Sequence, residues 1–277
     1  MVEKLQKRQE IKSKMAPTKH FNTLEDFLEG QVLVIDKPLD WTSFDVVNKL
    51  RGTIRHTFNI KKIKVGHAGT LDPLATGVLV VCTGRKTKTI DILQAEQKTY
   101  TGTIRLGVTT PSFDSETEVD NYCDLTILDA INPSSVEKAS IKFIGNLNQM
   151  PPQYSAKKVD GVTAYKAARK GETVALKPKA VTVNSFEINS FNKIVVDKVS
   201  GVDSDNYTVI DVNFKVVCSK GTYIRALARD LGKELNVGGT LTALRRTRSG
   251  DFMAEKAWDL TELLDAVKYC GITAKNS

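Results

Sequence analysis

Apolar residues along this chain fall into short runs and alternations with clear periods. FNTLEDFLEG (21–30) predicts a short amphipathic helix closed by Gly30, and the unbroken apolar run in QVLVID (31–36) predicts a buried strand. The chain then turns and enters a helix. Thr42 with Asp45 three residues later fits a capping box, and Val46, Val47, Leu50 and Ile54 recur as one inward stripe. GVLVVCTG (77–84) reads as a second buried strand, and YTGTIRLG (100–107) alternates as a strand with one wet face does. AVTVNSFEI (180–188) alternates again, and Thr208, Ile210, Val212, Phe214, Val216 and Cys218 hold every second position of a longer strand with one buried face. After a Ser219-Lys220-Gly221 turn, a helix starting at Thr222 carries Ile224, Leu227, Ala228 and Leu231 at i, i+3, i+4 and i+7. A terminal amphipathic helix centres on LTELLDAV.

Strands and helices are intermixed without strict βαβ repetition, so the expected fold class is α+β with a largely antiparallel sheet. Residues 145–175 interrupt the order. They are rich in Pro, Lys, Gly and Tyr and show no clean period until TAYKAARKG, a short basic helix ending at Gly171, so they read as an excursion from the core. The expected division is a basic tail and short helix over residues 1–30, then one domain over 31–277, with no room for another after ALRRTRSGDF and the last helix.

Composition narrows the class. Hydrophobic residues make up 41% and charged residues 26% of the 277, ordinary for a globular protein with a sizeable core. No apolar stretch approaches the roughly 18 residues that span a bilayer. The first twenty residues hold six Lys or Arg with Glu3 and Glu10 and no apolar leader, so the expected location is cytoplasmic. Cys82, Cys123, Cys218 and Cys270 lie far apart, and the only histidines are His20, His56 and His67, which argues against a zinc site or a disulfide framework. Cys82 and Cys218 sit in apolar runs, as small buried hydrophobes do. The net charge of +8 and a pI near 9.2 favour a polyanionic partner, although charge alone also serves solubility.

Residues 66–79, GHAGTLDPLATGVL, place one carboxylate among glycines and a proline. Asp72 precedes Pro73, which pushes it out of the α region and restricts where its carboxylate points. Asp-Pro also initiates plain turns, so spacing alone leaves both readings open. Arg225 sharpens the question. It lies in the first turn of its helix, where the macrodipole disfavours a cation, and next to the apolar stripe, so it is expected to be partly exposed and to face a carboxylate or phosphate. Bidentate pairing with Asp72 would orient that acid and keep it ionised, whereas an arginine reaching to water is the plainer alternative.

At this point the motifs carry a resemblance. GHAGTLDPLATGVL, with DKPLDWTS (36–43), YTGTIRLG (100–107), PPQYSAKKVDGVTAY (151–165), CSKGTYIRALARDLG (218–232) and LRR (244–246) in order, resembles the TruB family of tRNA pseudouridine synthases, which isomerise uridine 55 in the T loop. The resemblance implies the pseudouridine synthase catalytic fold, a mixed and largely antiparallel sheet flanked by helices, with residues 145–175 as a thumb-like RNA-binding insertion. It implies that Asp72 is the catalytic aspartate acting at ribose C1′, that Arg225 pairs with it, and that Tyr100 stacks on the target base. It implies that His67 fills the space vacated as the T loop opens, that Tyr223 and Leu244 line the uracil pocket, and that Lys37, Pro38 and Lys88 support the site or meet RNA. The thumb's Lys157, Lys158, Lys166, Arg169 and Lys170 would meet phosphates, with Tyr154 and Tyr165 available for stacking or packing.

No cofactor or metal is expected, because the isomerisation takes nothing from outside. The expected partner is the T stem-loop of tRNA, and the expected state is a monomer. Three departures from the family pattern stand out. The chain ends before the C-terminal PUA domain that many members carry, Asp40 replaces a glycine, and Arg85 replaces a common acid. Aspartate tolerates the left-handed conformation, so the turn at Asp40 can survive. Two other functions fit the same motifs less well: a non-catalytic tRNA-folding protein using the same cleft, and the catalytic subunit of a guide-RNA-directed particle. A glycosidase would need two carboxylates across the bond, and only one acid is well presented.

Overall fold

The computed structural model describes residues 21–155, 157–159, 161–197 and 206–273. The basic tail expected over residues 1–20 lies outside them. In chain order the principal elements are α1 (Leu24–Glu29), β1 (Val32–Lys37), α2 (Ser43–Thr57), β2 (Val65–His67), β3 (Ala75–Thr83), β4 (Lys98–Leu106), α3 (Pro133–Ile141), β5 (Gly145–Gln149), α4 (Ala164–Ala168), β6 (Lys179–Asp197), β7 (Asn206–Cys218), α5 (Ile224–Glu234), β8 (Gly239–Ser249) and α6 (Leu260–Thr273). This is the α+β class expected. Two compact units divide the chain, one reaching to Glu96 and resuming at Arg246, the other comprising Gln97–Arg245.

In the first unit β1 pairs antiparallel with β3, in a register that sets Ile35 opposite Leu79, and parallel with Trp258–Asp259. β2 pairs antiparallel with β3 at its other edge, with His67 opposite Val81. One sheet face is covered by α2 and α6, through Val46, Leu50 and Ile54 from the first and Leu263 and Val267 from the second. Each such leucine, fully buried, contributes about 1.5–3 kcal/mol relative to exposure. The expected cap at Thr42 is present, and Thr23 caps α1 in the same way: each accepts from the backbone of the residue three on, Asp45 or Asp26, whose carboxylate answers the cap N–H. These caps fix where α1 and α2 begin.

In the second unit β4 pairs antiparallel with β7, β7 with β6, and β6 with β5. β6 runs nineteen residues, twice the length its alternation suggests, because bulges after Val183 and Ile188 shift its register and mask the period. The alternation in β7 holds from Ile210 to Cys218, but Thr208 is half-buried while Tyr207 and Val209 are buried in a small cluster with Val108. The strand therefore has apolar surface on both faces near its start. Cys82 and Cys218 are both fully buried among apolar neighbours, as expected of small hydrophobes.

Candidate active site

Asp72 sits on the loop leading into β3, and that loop is tied down on several sides. Ser43, the first residue of α2, donates from Oγ to the Leu71 carbonyl at 3.1 Å and accepts from the Leu71 N–H at 2.8 Å. The Pro73 carbonyl accepts from the Asp40 N–H at 3.0 Å and from Lys37 Nζ at 3.1 Å. The Ala75 N–H closes the turn onto the Asp72 carbonyl at 3.1 Å. The Asp72 side chain stays partly exposed. Asp40 holds φ 63°, so the position where the family has glycine keeps the left-handed turn. That turn aims its N–H at Pro73.

Lys37 is fully buried, and its ammonium also donates to the carbonyls of Pro38 at 2.7 Å and Trp41 at 2.5 Å. It therefore joins the 38–41 turn to the Asp72 loop and supports the site from beneath; it presents no charge to solvent. Burial lowers its pKa to about 8, against the opposing fields of Asp40, Asp72 and Asp45, while Arg246 acts in the same direction as burial. Its folded pKa lies below the ordinary value of 10.5, so the unfolded chain binds more protons between pH 8 and 10.5. The contribution of this group to stability therefore rises as pH climbs through that window. Arg246 is equally buried: Nε donates to the Val78 carbonyl at 2.7 Å and a terminal nitrogen to Gly69 at 3.1 Å. Gly77, at φ +100°, admits the close approach of this strand, since a Cβ there would lie 2.2 Å from the Arg246 carbonyl oxygen. His67, half-buried on β2, has its pKa lowered by burial and by Arg246, and its buried Nδ1 has no hydrogen-bond partner among the described residues.

Arg225 belongs to the second unit, in the first turn of α5. It is buried, 4% exposed, rather than partly exposed as its place beside the apolar stripe suggests. The helix begins at Ile224, with Tyr223 as its cap, and not at Thr222. Arg225 does face a carboxylate: its Nε lies 3.4 Å from Oδ2 of Asp114, itself 5% exposed. One terminal nitrogen donates to the Ser112 carbonyl at 3.1 Å and the other to that of Tyr154 at 2.8 Å. Within this unit, then, the acid that answers the misplaced cation is Asp114, which sequence reasoning missed. The signal for it was the unsatisfied demand of a cation at a helix N-terminus, but nothing periodic marks the loop that meets it.

The same helix holds the start of the insertion. Gln149, buried at the end of β5, accepts from the Tyr223 N–H at 2.8 Å and donates to its carbonyl at 3.0 Å. Arg229 donates to the Met150 carbonyl at 3.1 Å. Farther out, Tyr165 donates to Glu116 at 2.7 Å, Arg169 pairs with the same carboxylate at 2.9 Å, and Tyr154 meets Tyr165 edge-on. These two tyrosines pack within the insertion, and Arg169 is held by Glu116. Burial, with the Glu116 carboxylate, pushes the Tyr165 hydroxyl up to about 12. Lys157 is partly exposed and Lys166 and Lys170 are exposed; the side chain of Lys158 lies outside the described residues. Tyr100, opposite Val216 on β4, is 9% exposed, and Tyr223 and Leu244 are half-buried.

The first unit thus gathers Asp72, Lys37 and Pro38 around one loop, while His67 stands on β2 opposite Val81 and Lys88 lies beyond the far end of β3. The second gathers Arg225, Tyr223 and the base of the insertion. Among the described residues no cluster of His, Cys, Asp and Glu has metal-binding geometry.

Comparison with known proteins identifies the family. The family model described as TruB family pseudouridylate synthase (N terminal domain) matches residues 55–224, and that described as tRNA pseudouridylate synthase B C-terminal domain matches residues 225–275. The tRNA pseudouridine synthase B of Flavobacterium johnsoniae is 46% identical over 240 residues, 86% of this chain and 96% of that protein. That of Phocaeicola vulgatus is 50% identical over 230 residues, 83% of this chain and 90% of that protein. Among solved structures, a chain in the crystal structure of a Cbf5-Nop10-Gar1 complex superposes with a TM-score of 0.59 at 25% identity, over 90% of this chain; this chain spans 61% of that one. With family models covering most of its length and relatives about half identical along more than four fifths of it, the chain belongs to the TruB family of pseudouridylate synthases.

Proposed function

We propose that this protein isomerises uridine 55 in the T loop of tRNA to pseudouridine, with Asp72 as the carboxylate that acts at the ribose. Family membership carries the activity: the chain is a tRNA pseudouridine synthase. The observation that supports Asp72 is its loop, which Ser43, Asp40 and Lys37 fix while the residue itself stays partly exposed. An acid held this firmly loses little freedom when it meets a substrate.

The reaction breaks N1–C1′, turns the uracil over, joins C5 to C1′ and releases the C5 proton. Asp72 attacks C1′ or otherwise assists the cleavage, and Arg225 pairs with it and aims it. A base inside a folded loop must first be flipped out, and its lost stacking must be replaced. In this reading Tyr100 stacks on the uracil, Tyr223 and Leu244 line its pocket, and His67 fills the gap left in the T loop. An uncharged imidazole suits that last role, and burial lowers the pKa of His67. Lys158 and Lys88 meet phosphates, while Lys37 and Pro38 shape the floor of the site. The proposal includes a monomer acting in the cytoplasm.

A T-arm stem-loop carrying tritium at C5 of the target uridine tests this reading. Incubation with the protein alone is expected to release the label to water within a single turnover. No release would favour a protein that only remodels RNA, and release that required an added guide RNA would favour the particle subunit.

A further inference from the structure

We propose that a basic groove in the first unit, well away from Asp72, holds the phosphate backbone of the same tRNA. This rests on the substrate reading above and extends it to a second contact. The groove encloses about 710 Å³. Arg51 and Arg55 enter it from α2, Lys61, Lys62 and Lys64 from the segment before β2, and Arg85 and Lys88 from the 3-10 turn Gly84–Thr89 that follows β3. No Asp or Glu lines it. All but Arg51 are exposed, and none of the seven has an ion pair with a carboxylate among the described residues.

Seven like charges from three separate segments repel one another, and no carboxylate among the described residues lining the groove offsets that repulsion. A solvated charged face needs no concavity, whereas this one is a trough with Leu28 and Ile63 also in its wall. Arg51 is built into it: one terminal nitrogen donates to Asn48 at 2.8 Å and the other to the Val65 carbonyl at 2.9 Å, which presents the guanidinium in a fixed direction. Phosphates supply the missing countercharge, and their binding would release condensed counterions.

The geometry sets the distance from the reacting base. α2 begins at Ser43, which is bonded to Leu71 beside Asp72, and Arg51 and Arg55 lie about 12 and 18 Å farther along its axis. β3 likewise begins where Ala75 closes the Asp72 turn and ends about 26 Å later, at Thr83, where the 3-10 turn starts. The groove therefore meets backbone some 15–25 Å from the flipped nucleotide, outside the loop that holds the target base. Arg85, which stands where the family pattern has an acid, adds to the positive field here and makes the departure intelligible.

The test uses the full chain and the double variant Arg55→Ala/Lys62→Ala, both exposed side chains outside the catalytic loop. Filter binding to full-length tRNA over a salt series is expected to show affinity lower by about tenfold at moderate salt. The slope of log K against log salt should be smaller by about 2. The saturating single-turnover rate of label release should be unchanged, because neither side chain belongs to the catalytic loop. An unchanged salt slope on full-length tRNA would overturn the proposal, as would a lowered saturating rate with unchanged affinity, which would give these cations a part in the reaction instead. Failure of the wild-type protein to release label would overturn the substrate reading instead, and the salt series would still report on the groove.

Discussion

Asp72→Asn is expected to lower the single-turnover rate of tritium release by at least about three orders of magnitude, the scale on which a group in contact with the reacting atoms matters. The substitution keeps size and shape, removes the charge and turns one acceptor oxygen into an N–H donor. The supports of the loop are all backbone or neighbouring side chains: Ser43 on Leu71, Asp40 and Lys37 on Pro73. None depends on the Asp72 carboxylate. The fold and the affinity for tRNA should therefore stay within about threefold of wild type. Equal losses in binding and rate would mean that Asp72 holds RNA rather than acts on it. A rate that survives would leave the protein with a remodelling role and no chemistry.

Arg225→Lys should be the second most damaging change, and its effect should also fall on turnover rather than on binding. Three nitrogens of one guanidinium serve three partners, Asp114, Ser112 and Tyr154, inside a buried setting. A lysine keeps the charge but brings a single nitrogen on a flexible stem, so it cannot reach all three at once. Each buried carbonyl left without a donor costs about 1–3 kcal/mol, and the Asp114 carboxylate loses its planar partner. We expect a rate about a hundredfold lower, a melting temperature lower by several degrees, and tRNA affinity changed by less than threefold, the rate measured by tritium release and the melting by calorimetry. A variant with wild-type rate would show that the guanidinium geometry is immaterial to the reaction.

Much of the scaffold was legible because local chemistry and global packing agree in it. Thr42 with Asp45 and the stripe Val46, Val47, Leu50 and Ile54 give the start and the inward face of α2, and both are found. The strand at 77–84 is an unbroken apolar run because β1 and β2 flank it and apolar clusters cover both of its faces. Where polar residues satisfy tertiary demands, the period fails. β8 reads as LRRTRS, an unlikely core strand, yet Arg246 is buried because backbone carbonyls at Val78 and Gly69 take its donors. β6 hides half its length behind two bulges.

The site divides in the same way. The prolyl constraint on Asp72 and the cation out of place at Arg225 are visible in the chain as local anomalies. Their supports are not. Lys37, which the resemblance placed only as supporting the site or meeting RNA, is a buried clamp on three carbonyls. Asp114 lies in TTPSFDSE, a loop without period whose value comes only from the helix folded against it. A sequence records which residues are odd where they stand; the residues that make them tolerable lie far off along the chain.

The most direct measurement is a crystal structure of the protein with a T-arm stem-loop carrying an unreactive analogue at the target uridine. The account predicts that nucleotide everted, with its C1′ about 3–3.5 Å from an Asp72 carboxylate oxygen and the Arg225 guanidinium on the other side of that carboxylate. A target base still stacked in its loop, or Asp72 and Arg225 facing different surfaces, would contradict it.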